Sequence, residues 1–325
     1  MKSSNIGGQA VLEGIMMRNG GRYSVAVRKP DGDIEVDIRQ YKSIIPWKTP
    51  LKIPFIRGIF NFVDSLVLGM KTLTFSASFF EEEEEELLTE AEAKKREKNE
   101  KIMMNLTVVL SVIIAAGLFM VLPYYLSGLV KHYTDSRMVM TVCEGLIRVG
   151  LFLLYIALIS RMKDIQRTFM YHGAEHKCIN CIEDGKELNV ANVRTSSRLH
   201  RRCGTSFLFL VMFISIVAFI LVSALMPADA GKLFKIVVRL LLIPVIAGIS
   251  YEVLRLAGKN DSLIVRMISA PGMALQKLTT KEPDDSMIEV AISAVEAVFD
   301  WKQYLREQGI EVADKEEENN AVKDM

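Results

Sequence analysis

The sequence predicts a mainly α membrane protein: four transmembrane helices plus an interfacial or re-entrant helix, a small N-terminal β-hairpin and a cytosolic C-terminal helix. Three observations predict it. Half of the 325 residues are hydrophobic while 24% are charged, and the mean hydropathy of +0.23 is high for so charged a chain. Charge and apolarity must therefore lie in separate blocks. Four of those blocks approach the roughly 20 apolar residues that a helix needs to cross a bilayer. The loops between them alternate between rich and poor in Lys and Arg, the pattern that sets membrane orientation.

Composition also excludes several classes. Lys+Arg 40 against Asp+Glu 39 leaves a formal net charge of +1, so no overall basic field points to nucleic acid. Four cysteines are too few for a disulfide scaffold. Apolar residues are too plentiful for a disordered chain.

The N-terminal region, 1–54, opens on MKSSNIGGQ, polar and without the apolar stretch of a secretory signal. Within SVAVRKPDGDIEVDIRQ, Val25 and Val27 face Ile34, Val36 and Ile38 across a tight turn at Pro30 to Asp33, a β-hairpin signal. Two strands alone are marginal, so the hairpin must pack on something else. Glycines 7, 8, 14, 20 and 21 read as turns, with an anion-binding backbone nest as the alternative. Residues 55–80 are apolar in general character but carry Arg57, Asp64 and Lys71. A fifth crossing there would put the termini on opposite sides, so the segment reads as a helix lying on the cytosolic leaflet or re-entering it. Residues 81–101 form a charged linker in which Glu90–Lys94, Glu92–Arg96 and Glu97–Lys101 are helical i,i+4 pairs.

The membrane domain spans 102–257. Ile102 to Val130 holds no charge, Met138 to Ser160 only Glu144 and Arg148, Cys203 to Ala228 none, and Ile236 to Tyr251 only Arg239. Glu144 and Arg148 can neutralise each other on one helix, and Arg239 is expected to snorkel to an interface. Five basic residues (Lys94, Lys95, Arg96, Lys98, Lys101) precede the first span. The 161–202 loop holds nine, whereas the other two loops hold Lys131 and Arg137, then Lys232 and Lys235. Both termini and the long loop therefore face the cytosol of a cell membrane, where thiols stay reduced. The segment 258–308 is cytosolic, with Ser286 and Glu289 as a capping box for a helix ending near Tyr304. Residues 309–325 read as a disordered tail.

The long loop concentrates the chemistry. Three of the four histidines, His172, His176 and His200, and three of the four cysteines, Cys178, Cys181 and Cys203, lie in YHGAEHKCINCIEDGKELNVANVRTSSRLHRRCGTSF. Two zinc sites can be drawn through them. The first is catalytic. On a helix, His172 and His176 stack one turn apart and can share a metal ion, while Glu175 is placed as general base, in the order of the H-x-x-E-H metallopeptidases. A catalytic zinc has three protein ligands and lowers the pKa of water to about 7; here the third ligand is His200 or, as the second choice, Glu252. The second site is structural: Cys178-x2-Cys181 with His200-x2-Cys203 has the ligand count of a closed zinc knuckle. Arg201 and Arg202, beside the N-terminal end of the third span, make an anion-receptive corner.

Five stretches, GGQAVLEGIMMR, YHGAEHK, LHRRCGTSF, ISYEVLRLAGK and APGMALQKLTTKEPDD, occur in an order that resembles the YqhQ-like family of bacterial integral membrane proteins. The resemblance covers roughly residues 5 to 300 and implies a metal-dependent enzyme, with His172, Glu175, His176, His200, Arg202 and Cys203 on its motif positions. The Cys178–Cys181 pair is less typical of it, which favours the catalytic site. The expectation is a zinc-dependent hydrolase at the cytosolic face, with peptidase as one form. Glu175 is the base and Arg202 stabilises developing negative charge on an anionic substrate. The alternative is a membrane scaffold whose zinc knuckle recruits a cytosolic partner, with a membrane-associated protein as a further candidate partner.

Overall fold

A computed structural model describes residues 3–43, 53–80, 90–227, 230–257 and 263–312. The chain divides into two compact units. One comprises Met1–Phe80, Ile159–Leu210 and Ala247–Met325; the other, Glu81–Leu158 and Val211–Ile246.

The first unit is built on a four-stranded antiparallel sheet: β1 (Gly7–Val11), β2 (Gly14–Asn19), β3 (Arg22–Arg28) and β4 (Ile34–Gln40), in the order β1-β2-β3-β4. The expected hairpin is β3–β4, but its register is shifted by one residue: Val25 stands opposite Asp37 and Val27 opposite Glu35, while Ile34, Val36 and Ile38 pair with Arg28, Ala26 and Ser24, so the two valines lie on the other face of the sheet from those three residues. The partner that a lone hairpin requires is two further strands drawn from the glycine-rich segment. Glycines 7, 8 and 14, read as turns, lie within β1 and β2, and only Gly20 and Gly21 form a turn. Their strand character was hidden because GGQAV lacks the β-branched and aromatic run that signals a strand.

Period-2 alternation gives this sheet two buried faces. Ile15, Met17 and Ala26 enter one core with Tyr171, Ala174 and Ile179 of helix α5 (Lys163–Glu183) and Met287, Ile288 and Ala291 of helix α10 (Asp285–Glu296). Met16, Tyr23, Val25 and Val27 face the other way, onto Leu68 of helix α1 (Ile56–Ala77). The sheet is thus held between α1 and the α5/α10 pair, and the β1 side of α5 becomes a wall of the site described below.

Helix α1 occupies the ambiguous 55–80 segment, and its polarity runs inside out. Asp64, Thr72 and Ser76 are buried with Leu68, whereas Val63, Leu66, Met70 and Leu73 are exposed. Tyr41 donates to Asp64 at 2.7 Å, so the carboxylate that interrupts the apolar run is a packing group of the unit.

Towards the C-terminus the sequence reading needs two corrections. Asp284, not Ser286, caps α10, accepting from the Met287 amide at 3.0 Å, while Ser286 donates to Asp284 at 2.6 Å and Glu289 pairs with Arg28 at 2.9 Å. The helix stops at Glu296, and Trp301–Glu307 is a separate short helix capped by Asp300. Val190–Thr195 (α6) and Leu263–Thr279 (α9) are additional helices.

The second unit contains most of the long apolar helices. The linker from Glu90 onwards and the start of the first apolar block form one helix, α2 (Glu90–Ala116), continued by a π turn at Gly117–Val121 and a short helix, α3 (Leu122–Ser127). The side chains of the three linker pairs and the acidic run 81–86 lie outside the described residues, as does the tail from 313. Helix α4 is Arg137–Ile159; α7 (Gly204–Leu225) and α8 (Lys232–Ala257) have their remaining turns in the first unit. Four segments are long and apolar enough to cross a membrane: Ile102–Val130, Met138–Ile159, Phe207–Leu225 and Val237–Leu256. Leu106, Val109, Val112 and Ile113 stand uncovered along α2, which suits hydrocarbon surroundings.

Arg239 does not reach for an interface. It pairs with Glu144 at 2.8 Å, as Arg148 does, and Arg148 also donates to the Phe119 carbonyl at 2.9 Å. Pairing answers the same energetic problem as snorkelling, because a charge between apolar helices is costly unless neutralised.

Candidate functional site

The candidate site belongs to the first unit and starts from helix α5. His172 and His176 are one turn apart on it, and their ring centroids lie 4.4 Å apart. Cys203, the residue before α7, brings its Sγ to 3.1 Å from His172 Nε2. Ligand atoms of His172, His176 and Cys203 all fall within 4.8 Å of one another; among the described residues no other three His, Cys, Asp or Glu converge in this way.

Backbone carbonyls set the tautomers. His172 Nδ1 is 2.8 Å from the Thr279 carbonyl, and His176 Nδ1 is 2.7 Å from the Arg198 carbonyl. A carbonyl only accepts, so each Nδ1 carries the proton and each Nε2 presents a lone pair. The buried Nε2 of His176 has no hydrogen-bond partner among the described residues. A buried, unpaired acceptor costs free energy, and a cation would satisfy it. Two imidazole Nε2 atoms and one sulfur form a donor set suited to zinc, leaving a fourth position open.

Glu175 is buried beside these ligands and accepts a 3.0 Å hydrogen bond from the Gly8 amide of β1. Burial pushes its carboxyl up, opposed by His172 and the Gly8 amide. The helix can sit this close only because glycine occupies two contacts. A Cβ at Gly173 would lie 2.0 Å from the Lys281 carbonyl oxygen, and one at Gly8 would lie 2.6 Å from the Met16 oxygen and 3.0 Å from Glu175 Cγ. A cavity of about 760 Å³ opens over the cluster, lined by Gly8, Gln9, His172, Glu175, Arg202 and Cys203 among others; that volume is typical of ligand sites.

The remaining sequence candidates take other places. His200 is buried near the cluster, 5.6 Å from His176 between ring centroids, but its Nε2 faces Glu183 Oε2 at 3.7 Å. Its backbone is fixed by Gln276, which accepts from the His200 amide at 2.8 Å and donates to its carbonyl at 2.7 Å. Burial lowers its pKa, opposed by Glu183. Arg202 pairs with Glu183, which also accepts from the Ser4 amide at 2.8 Å and hydroxyl at 2.7 Å. Burial alone would raise the Glu183 pKa; hydrogen bonds from His200 and Ser4 and the Arg202 charge overcome it and hold the group at about 2. The anion-receptive corner is therefore already occupied by a carboxylate.

Cys178 and Cys181 are wholly buried in the α5/α10 core. Burial pushes the Cys178 thiol well up and the Cys181 thiol up to about 11, and Cys181 donates to the Glu187 carbonyl at 3.3 Å. They do not converge with His200 and Cys203 into the four-ligand knuckle. Glu252 is held by Arg57 through contacts of 2.6 and 2.5 Å, and it is not part of the His/Cys cluster. Sequence reasoning missed Glu183 and the carbonyls of Thr279 and Arg198, and it held Gly8 only in the alternative of a backbone nest. The glycine-rich opening was a usable signal for Gly8; backbone carbonyls have none.

Residues 53–301, which include α5 and Cys203, match the model of a family described as "Protein of unknown function (DUF1385)". The chain is 35% identical over 291 residues to the "Uncharacterized protein YqhQ" of Bacillus subtilis (strain 168), covering 89% of this chain and 90% of that protein. No solved structure matches. On both the family model and the breadth of that identity, the chain belongs to the YqhQ-like family.

Proposed function

We propose that the protein is a membrane-embedded, zinc-dependent hydrolase, with peptide bonds as its substrate class and its site at the cytosolic face of the cell membrane. The convergence of His172 Nε2, His176 Nε2 and Cys203 Sγ carries the reading, together with the unpaired buried nitrogen of His176. Cys203 takes the place given to His200 as third ligand. The distribution of Lys and Arg supports cytosolic termini and a cytosolic 161–202 segment, and the outward apolar stripe of α1 supports a helix lying in the membrane interface.

Zinc at such a site would polarise a carbonyl and make water more acidic. Glu175 takes the proton of the attacking water as the carbon–oxygen bond forms. It then returns that proton to the leaving nitrogen as the carbon–nitrogen bond breaks, giving one carboxyl and one amine. Burial raises its proton affinity, which suits a group that must both accept and release a proton. The Gly8 amide holds the carboxylate in place, while Arg202 lines the cavity with its charge already balanced by Glu183.

The test is elemental analysis of detergent-purified protein, with cleavage of a mixed-sequence peptide pool followed by mass spectrometry. Wild type should carry zinc and cleave; His172→Ala should lose both. Zinc that is unchanged in His172→Ala rejects the helix ligands.

A further inference from the structure

Strand β1 is an edge strand that opens into the cavity. It pairs with β2 alone. In an antiparallel ladder alternate residues point their amide and carbonyl groups away from the partner strand. Here the Gly8 amide bonds Glu175 and the Leu12 amide bonds Ser76 Oγ at 3.1 Å, so positions 8, 10 and 12 are the outward ones. Gly8 and Leu12 thus have their amides engaged. The Ala10 amide and the carbonyls of Gly8 and Ala10 form the rest of that edge, and no other described side chain or backbone group bonds them.

Proteins usually protect such an edge with charge, proline or a covering element. GGQAV has neither charge nor proline, and Gly7 and Gly8 have no side chain to stand in the way. Gln9 is turned to α1, where a Cβ at Gly69 would lie 2.7 Å from its amide oxygen. Gly8, Gln9 and Ala10 line the same cavity as His172, Glu175 and Cys203.

We infer that the cavity takes its substrate as an extended peptide, added as a further strand along the Gly8–Ala10 edge of β1; this rests on the hydrolase reading above. Backbone groups repeating every second residue, about 6.6 Å apart, match another peptide backbone and not a sugar or acyl chain. Recognition through the main chain supplies affinity with little demand on side chains. It also puts a substrate carbonyl beside Glu175, because the Gly8 amide that begins the free edge already holds that carboxylate.

The experiment uses the zinc-loaded full chain in detergent and measures binding, not turnover. Its probes are acetohydroxamate, acetyl-trialanine hydroxamate, and the trialanine compound N-methylated at its central residue. The trialanine hydroxamate should bind about tenfold tighter than acetohydroxamate, as two added backbone hydrogen bonds imply. N-methylation should erase that gain on wild type. Ala10→Pro, which removes the outward amide at an edge position where proline is tolerated, should erase it while leaving acetohydroxamate affinity unchanged. Acetohydroxamate binding with no gain from the peptide, or a gain indifferent to N-methylation, overturns edge pairing and leaves the hydrolase reading standing. Absence of acetohydroxamate binding overturns both. If Ala10→Pro fails to fold, the N-methylated probe on wild type decides alone.

Discussion

His172 Nε2 stands 3.1 Å from Cys203 Sγ, although the two residues lie 31 positions apart in the chain. The imidazole is fixed from behind by the Thr279 carbonyl, so its lone pair is aimed at the sulfur. This is the arrangement that metal-binding histidines use to set ring orientation.

Zinc content should therefore follow the three converging residues. His176→Ala and Cys203→Ala should each lose most bound zinc, whereas His200→Ala, Cys178→Ser, Cys181→Ser and Glu252→Gln should keep it. Elemental analysis of the purified variants checks this. Full zinc in His176→Ala with loss in Cys178→Ser would restore the knuckle.

Thiol chemistry gives a separate reading of the same site. Without metal, iodoacetamide should modify Cys203 ahead of Cys178 and Cys181, whose thiols burial makes poor nucleophiles. Zinc should protect Cys203 alone of these three. Peptide mapping by mass spectrometry decides it, and labelling of Cys203 indifferent to zinc speaks against sulfur ligation.

Glu175→Gln should retain zinc and fold, since an amide oxygen can still accept from Gly8, yet lose about 10²- to 10⁴-fold in peptide cleavage, the usual contribution of a general base. Cleavage of the mixed peptide pool at an unchanged rate would remove Glu175 from the chemistry.

Gly173→Ala should be the most damaging small change within the H-x-x-E-H string. Its methyl would meet the Lys281 carbonyl oxygen at 2.0 Å, and that segment is tied to α5 by the 2.9 Å bond from the Lys281 amide to the Phe169 carbonyl. A destabilisation of about 3 kcal/mol is expected for such overpacking. Thermal unfolding in detergent measures it; a melting curve like that of wild type would show that the segment gives way freely.

Acid should weaken the first unit through Glu183. Its folded pKa of about 2 lies below the ordinary value of 4.5, so the stabilisation is fully present above pH 4.5 and is lost as pH falls towards 2. A depression of that size amounts to roughly 3 kcal/mol. Glu183→Gln should flatten the stability profile across that window. An unaltered acid limb in the variant would mean that the Ser4, His200 and Arg202 contacts contribute little.

Parts of the fold were legible because they depend on local periodicity. The four apolar segments, the presence of the β3–β4 hairpin and the helical 55–80 segment follow from hydropathy and alternation alone; the register of the hairpin does not. Strands β1 and β2 did not, because glycine has no strand preference and their pairing is decided by the cores on both faces of the sheet. Cys178 and Cys181 show the opposite case. At about 100° per residue, positions two and five beyond His176 fall roughly 200° and 140° around the helix, away from both histidines. Once α5 runs unbroken to Glu183, those thiols must enter the core.

Sequence by itself determined that His172, Glu175 and His176 ride one helix with both imidazoles on a common face, because a spacing of four residues is one turn. Tertiary structure decided the rest of the site: Cys203 and not His200 meets them, Glu183 holds Arg202, and β1 brings the Gly8 amide to Glu175. Those choices join segments far apart in the chain, and they are settled by the packing of α5 against the sheet and α10, which no local pattern encodes.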